Sequence, residues 1–241
     1  MELKTEAANP GSPHSSVIKT HQLDKDYRLG LTILKALNHI DLSVTKGEFL
    51  GLVGPSGSGK TTLLNIVGSL DTPTRGTVEV LGQKVESLSH KEAAKLRNNH
   101  IGFIFQTYNL LPVYTVFENV EFPLLLLGIE TPRRRSMVMD ALEWVGLADR
   151  AESRPAQLSG GQSQRVAIAR AIVKKPELVL ADEPTANLDS KTAEDIISIM
   201  QRMNSERQTT FVFSTHDKRM EQHAKRIVTL KDGAIEKDER R

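Results

Sequence analysis

The chain has no cysteine. Disulfides and thiolate-bound metals are therefore excluded, and a reducing compartment fits. Neither sign of charge dominates: 32 basic residues stand against 30 acidic ones, a net charge of +2. Because the two signs are interspersed, nothing argues for a nucleic-acid partner. No apolar run approaches the roughly 20 residues that span a bilayer. The greasiest stretch, Phe122–Leu127, is interrupted by Pro123. The N-terminal MELKTEAANPGSPHSS has no apolar signal core. Its Pro, Gly and Ser content predicts a disordered tail over residues 1–16. There is no long-period repeat. The expectation is a cytoplasmic protein whose membrane contact, if it has one, is made through another chain. What remains, 39% hydrophobic and 26% charged over 241 residues, suits one soluble globular unit over residues 17–241.

Short apolar runs alternate with helical patterns along the chain. Val17 to Ser43 reads as short strands, Glu48–Gly54 as a buried strand feeding a loop, and Lys60 to Gly68 as a helix. TPTRGTVEVLG is a turn and an edge strand, SHKEAAKLRNN a helix opened by the capping box Ser89 and Glu92, and IGFIF a strand. Val116 to about Arg150 is helical, with Arg133–Arg135 read as a solvated face. Buried strands at Glu177–Pro184 and Thr209–His216 bracket a helix from about Lys191. A short helix from Asp217 and a hairpin at Asp232-Gly233 close the chain. Such alternation predicts an α/β fold with a mainly parallel sheet, and the helix-only stretch at about 107–173 an inserted α-helical subdomain.

GPSGSGKT, Gly54–Thr61, matches G-x-x-x-x-G-K-[ST] after a strand and before a helix. Gly54, Pro55, Ser56, Gly57, Ser58, Gly59, Lys60, Thr61 and Thr62 are thus expected to cradle a phosphate chain. Lys60 reaches the β- and γ-phosphates and Thr61 offers a hydroxyl to Mg²⁺. LVLADEP ends an apolar strand in two carboxylates: Asp182 is placed for the Mg²⁺ shell, and Glu183 points elsewhere, suited to take a proton from an attacking water. His216 and Gln106 also end core strands, where the crevice of a parallel sheet lies. His216 suits the γ-phosphate; Gln106 suits Mg²⁺ and the water.

A second anion site opens the helix in QLSGGQSQRVAIARA. Ser159 caps it, Gln162 completes a capping box, and Gly160 and Gly161 leave N–H groups bare. Taken together, the phosphate loop, Gln106, LSGGQ, LVLADEP, ANLD and His216 resemble an ABC-type ATPase in order and spacing over nearly the whole chain after the tail. The resemblance implies a P-loop NTPase sheet with an additional antiparallel β subdomain, and ATP and Mg²⁺ as ligands. It implies that Tyr27 stacks on adenine. It also implies an ATP-dependent homodimer in which Ser159, Gly160, Gly161 and Gln162 complete the partner's γ-phosphate site in trans, with Asp189 on the same interface. Ser163 departs from the family pattern, where glutamine or a charged residue is commoner, after the phosphate-contacting positions.

Leu96–Gly128 resembles more finely the ATPases of lipoprotein release and macrolide efflux, and also the cell-division ABC ATPase, which controls a periplasmic enzyme. That resemblance implies an integral membrane permease as partner, at the cytoplasmic side of the inner membrane. Its short helix would lie in a groove lined by Tyr108, Leu110, Leu111, Tyr114 and Val116. A small-molecule importer subunit is the rival, though many of those carry a C-terminal regulatory domain for which the 25 or so residues after His216 leave no room. Ribosome- or DNA-acting relatives typically hold two nucleotide domains or long coiled coils, and neither pattern is present. A phosphate-binding module without turnover would be expected to lack Glu183 and His216.

Overall fold

A computed structural model describes residues 16–241. The expected tail lies outside the described residues except for Ser16, which opens β1 (Ser16–Leu29). That strand pairs antiparallel with β2 (Thr32–Thr45). The two are long rather than short. Their ladder shifts register between Thr20 and Leu23 and twice more by Asp26, and Gln22 and His39 take positive φ. Such bulges break the apolar alternation, so one long strand reads as several pieces.

After β3 (Phe49–Val53) and α1 (Lys60–Val67) comes β4 (Arg75–Val80), which pairs with β1 on one side and with the two-residue β5 (Gln83–Lys84) on the other. The antiparallel sheet therefore runs β2-β1-β4-β5. Helix α2 (His90–His100) carries the Ser89–Glu92 capping box and leads into β6 (Ile101–Ile104). Three helices follow: α3 (Val116–Leu126), α4 (Thr131–Trp144) and α5 (Gly160–Ile172). α3 continues through Pro123, and the break before α4 falls at Gly128, with φ +68°. Of the arginines read as a solvated face, Arg134 is tucked between helices. It donates to Glu121 Oε1 at 2.6 Å and to the Ile129 carbonyl, tying α4 to α3.

The chain then alternates β7 (Leu178–Asp182), α6 (Ser190–Arg207), β8 (Thr210–Ser214) and α7 (Lys218–His223), and ends in the hairpin of β9 (Arg226–Lys231) and β10 (Ala234–Arg240). Asp232 and Gly233 both have positive φ, the requirement of a type I′ hairpin turn. The second sheet runs β10-β9-β3-β8-β7-β6 and is parallel from β9 to β6. Both of its faces are covered. Leu50, Leu52, Leu180, Val212 and Leu230 pack with α1 and the antiparallel sheet. Phe49, Val179, Phe211, Phe213 and Ile227 pack with the helices from α3 to α6. That is why these strands read as unbroken apolar runs. The sheet's carboxyl edge gathers the ends of β3, β6, β7 and β8, and there the chemistry-bearing residues collect.

Candidate active site

Gly54 leaves β3 with φ +145°, and a Cβ there would stand 2.1 Å from the Leu230 carbonyl oxygen, so only glycine fits this start of the loop. The loop feeds α1, whose N-cap Gly59 supplies no side-chain bond and whose first turn has no acidic residue. The amides of that turn are thus presented to an anion. Lys60 is nearly buried, and its ammonium donates to the carbonyls of Gly54 (2.8 Å) and Pro55 (3.0 Å). The buried Ser58 hydroxyl has no hydrogen-bond partner among the described groups, a donor available to a phosphate oxygen.

A cleft of about 610 Å³ opens over this loop. Tyr27, Leu34, Lys35, Ala36, Gly54, Ser56 through Thr62, Gln106, Glu183 and His216 line it. Across the loop stands Asp182, at the end of β7. Thr61 Oγ1 donates to both its carboxylate oxygens (3.1 and 3.0 Å), and Ser214 Oγ donates to Oδ1 at 2.5 Å. Glu183 follows with φ +50°, a strained conformation for a non-glycine residue. Its amide is held by Ser214 Oγ and the Ser214 carbonyl. The kink turns the Glu183 side chain away from Asp182, to within 2.8 Å of His216 Nδ1. Two adjacent carboxylates thereby face different tasks.

Tyr27 stands on the rim of the cleft. Its hydroxyl donates to Asp71 Oδ2 at 2.7 Å, and Lys25 lies 4.8 Å from its ring centre and also pairs with Asp71. Burial and the Asp71 carboxylate push the phenol above its usual pKa, so the ring is neutral. Burial alone would raise Asp71, but the bonds from Lys25 and Tyr27 outweigh it and hold the carboxyl low.

Ser159 and Gln162 form the reciprocal cap of α5. No residue of 159–162 lines the cleft. A Cβ on Gly161 would stand 2.2 Å from Thr192 Cγ2, so that glycine serves close packing inside its own chain. Thr192 in turn is bonded by Asp189, the N-cap of α6, at 3.0 Å through its amide and 2.6 Å through its hydroxyl. Asp189 and the LSGGQ segment therefore share one exposed surface.

Of the expected groove lining, only part is surface. Val116, at the first turn of α3, is fully buried in the helical core and Leu110 is partly buried against it, whereas Leu111 and Tyr114 are exposed. The hollow, about 420 Å³, lies one step along. Phe103 and Phe105, Phe122, Pro123 and Leu126 of α3, and Leu70 give it apolar walls; Arg97, Arg170 and Lys174 are its charged residues, with no acidic side chain. Burial pulls Lys174 down to about 8 and also lowers Arg170.

Several residues that build these sites escaped the sequence reading. Ser214 is a fully buried hydroxyl at the end of an apolar strand, a signal that was there to weigh. Asn119, Gln164 and Arg170 are polar side chains inside helices, and their partners, backbone carbonyls 4 to 62 residues away, leave no mark on the side-chain pattern.

The sequence model of a family described as ABC transporter matches residues 37–186. The lipoprotein-releasing system ATP-binding protein LolD of Legionella pneumophila is 42% identical over 219 residues, 91% of this chain and 96% of that protein. The macrolide export ATP-binding/permease protein MacB of Syntrophobacter fumaroxidans is 46% identical over 222 residues, 91% of this chain but 31% of that larger protein. Among solved structures, the dimeric post-hydrolysis state of the ATP-binding cassette MJ0796 of Methanocaldococcus jannaschii, bound to ADP and Pi, has a TM-score of 0.87. It is 43% identical, covering 92% of this chain and 98% of that one. No helix among the described residues is long and apolar enough to cross a membrane.

Proposed function

The chain belongs to the ABC transporter family as an ATP-binding, ATP-hydrolysing subunit, and from that premise we propose that its ATP-driven closure as a homodimer works an integral membrane partner for lipoprotein release or efflux. One observation carries the dimer: Ser159–Gln162 offers an anion site yet does not line the chain's own cleft. Such a site serves a nucleotide held by another copy. The dimeric cassette to which this chain is similar supports that arrangement.

In the proposed mechanism, Tyr27 takes the base and the amides from Gly54 to Thr62 take the phosphate chain, with Lys60 and the Ser58 hydroxyl as further donors. Glu183 accepts a proton from the attacking water, and His216, 2.8 Å away, orients that carboxylate beside the γ-phosphate. Gln106, which lines the same cleft, positions the water. Magnesium fits the donor set: Thr61 and Asp182 supply a hydroxyl and a carboxylate side by side, the oxygen ligands this ion takes together with phosphate and water. When bound it neutralises charge on the phosphate oxygens.

The partner docks in the hollow beside β6. Its apolar walls suit one face of a short helix. Its three cations and no acid suit a segment that also carries a carboxylate. Lipoprotein release or macrolide export is the best-supported use, since LolD and MacB bear those names; the chain then sits on the cytoplasmic side of the cell membrane. The test of the ATPase assignment is Glu183→Gln. Turnover is expected to fall by a factor of roughly 10² to 10⁴, with ATP affinity within a few fold of wild type. Hydrolysis at the wild-type rate would remove Glu183 from the role.

A further inference from the structure

Tyr27 is held by two charges that do not themselves line the nucleotide cleft. Tyr27 lines it; Lys25 and Asp71 do not. The three nevertheless form one closed set. Asp71 Oδ2 accepts from the Tyr27 hydroxyl at 2.7 Å. Its Oδ1 accepts from Lys25 Nζ at 2.6 Å and from the Thr72 amide at 2.7 Å. Lys25 Nζ donates further to the Thr72 carbonyl at 2.8 Å and lies 4.8 Å from the centre of the Tyr27 ring. The ring is thus fixed at its hydroxyl by a carboxylate and against its π-system by an ammonium.

This set is costly. Lys25 keeps 11% of its side-chain surface exposed and Asp71 28%. An ion pair so far out of water adds little stability that an apolar pair of the same volume would not supply. What it supplies is direction, since each bond specifies where one atom of the ring stands.

The elements that are joined matter as well. Lys25 and Tyr27 belong to β1 of the antiparallel sheet. Asp71 follows α1, the helix whose first turn is presented to the phosphates. The amides of Leu70 and Asp71 both donate to the Asn65 carbonyl of that helix, at 2.8 and 3.3 Å. One helix therefore carries the phosphate amides at its start and the anchor of Tyr27 just past its end. Its 8 residues make a rigid rod of about 12 Å from which both ends of a nucleotide are measured.

We propose that Asp71 and Lys25 are positioning residues for nucleotide binding: they hold the Tyr27 ring at a set angle and distance from the phosphate loop, so that it is ordered before the base arrives. This rests on the reading of Tyr27 as the residue that takes the base. A ring already ordered need not be immobilised on binding, and for a free side chain that step costs about two- to tenfold in affinity.

The test uses the full chain carrying Glu183→Gln, kept dilute enough to stay monomeric. Displacement of a fluorescent ATP analogue gives the affinity for ATP and, separately, for inorganic tripolyphosphate, which has the phosphates and no base. Asp71→Asn leaves one acceptor oxygen where two are in use, and Tyr27→Phe removes the hydroxyl. Each is expected to weaken ATP about three- to tenfold and to leave tripolyphosphate within about twofold. The double is expected to be no worse than the poorer single, because both changes break one bond. Lys25→Met is expected to weaken ATP and spare tripolyphosphate in the same way, and Tyr27→Ala to weaken ATP more than any of these. If Asp71→Asn and Lys25→Met weaken both ligands alike, or lower the melting temperature and spare ATP, the set is only a structural tie and the proposal is overturned. If Tyr27→Ala weakens ATP while Tyr27→Phe and Asp71→Asn bind it as the parent does, the ring takes the base without being positioned, and the proposal again fails. Should Asp71→Asn not fold, Tyr27→Phe and Lys25→Met carry the same comparison. Unchanged ATP affinity in Tyr27→Ala would instead sink the reading of Tyr27 itself.

Discussion

Ser159→Asp separates the trans-acting reading from every in-chain role of the LSGGQ segment. Ser159 is exposed, extended at φ −69° and ψ 164°, and caps α5 by accepting from the Gln162 amide. Asp and Asn cap a helix as well as Ser does, so either change leaves the fold within a few tenths of a kcal/mol. Gly161→Asp, the obvious alternative, fails this condition: its Cβ would meet Thr192 at 2.2 Å, and any loss could come from a displaced α6. Asp at 159 differs from Asn there in charge alone. Two unit charges about 4 Å apart repel by about 1 kcal/mol in bulk water and about 4 kcal/mol at an effective dielectric of 20. A closed dimer has two such contacts, for a total of about 2 to 8 kcal/mol. At about 1.4 kcal/mol per tenfold, even the lower bound weakens the dimer roughly 30-fold. The assay is light scattering of the Glu183→Gln chain with ATP across a concentration series, with melting curves taken without nucleotide. Ser159→Asn is expected to dimerise like the parent, and Ser159→Asp to remain monomeric at concentrations where the parent is dimeric. Equal dimerisation of the two would refute the placement of a phosphate against this helix.

Lys60→Ala is expected to weaken nucleotide binding itself, unlike Glu183→Gln, because it removes the ammonium from the phosphate loop; equilibrium binding of a fluorescent ATP analogue checks this. Phe122→Asp, on the exposed wall of the hollow, is expected to spare folding and basal ATPase but abolish co-purification with the membrane partner, since docking would desolvate an unpaired charge; unchanged co-purification would move the docking site elsewhere. Burial lowers Lys174 from 10.5 to about 8, so below pH 8 the folded chain carries the full burial penalty, and between pH 8 and 10.5 the unfolded chain alone holds the proton. Stability relative to Lys174→Met is therefore expected to rise with pH through that window, by up to about 3 kcal/mol; urea titrations at pH 7, 9 and 10.5 read it, and a flat difference would contradict the lysine's burial.

What was legible in the sequence is what local spacing controls. The phosphate loop and its strand and helix follow from a handful of adjacent residues. The caps at Ser89 and Ser159 rest on partners three residues away, and the Asp232-Gly233 turn on two positive φ angles. The parallel strands stood out because two covered faces make them apolar throughout. The bulges of β1 and β2 hid two long strands, since each register shift moves side chains to the other face. The burial of part of the expected groove lining was hidden for a related reason. Tyr108 to Val116 is rich in large side chains, but whether each faces solvent is decided by how α3 packs on α5. Val116 points inward from a capped first turn, whereas Phe122 and Leu126, further along the same helix, stay exposed.

The two anion sites differ in a way that explains how one can be permanent and the other conditional. The first turn of α1 has no side-chain cap, and its neighbours include a buried hydroxyl without a partner at Ser58. Its donors are satisfied best by the phosphate chain it is built to hold. The first turn of α5 is already partly satisfied by its own residues, through the reciprocal Ser159–Gln162 cap. It loses little when no phosphate is near, and what it offers one is the remaining amides and the dipole, worth up to about 2 kcal/mol in a partly buried setting. In the proposed dimer, a contact that weak would hold two subunits only when both copies make it at once, together with the rest of the interface. On that proposal, separation after hydrolysis would need no dedicated release device: removing one γ-phosphate would take away the anion on which that half of the closure depends.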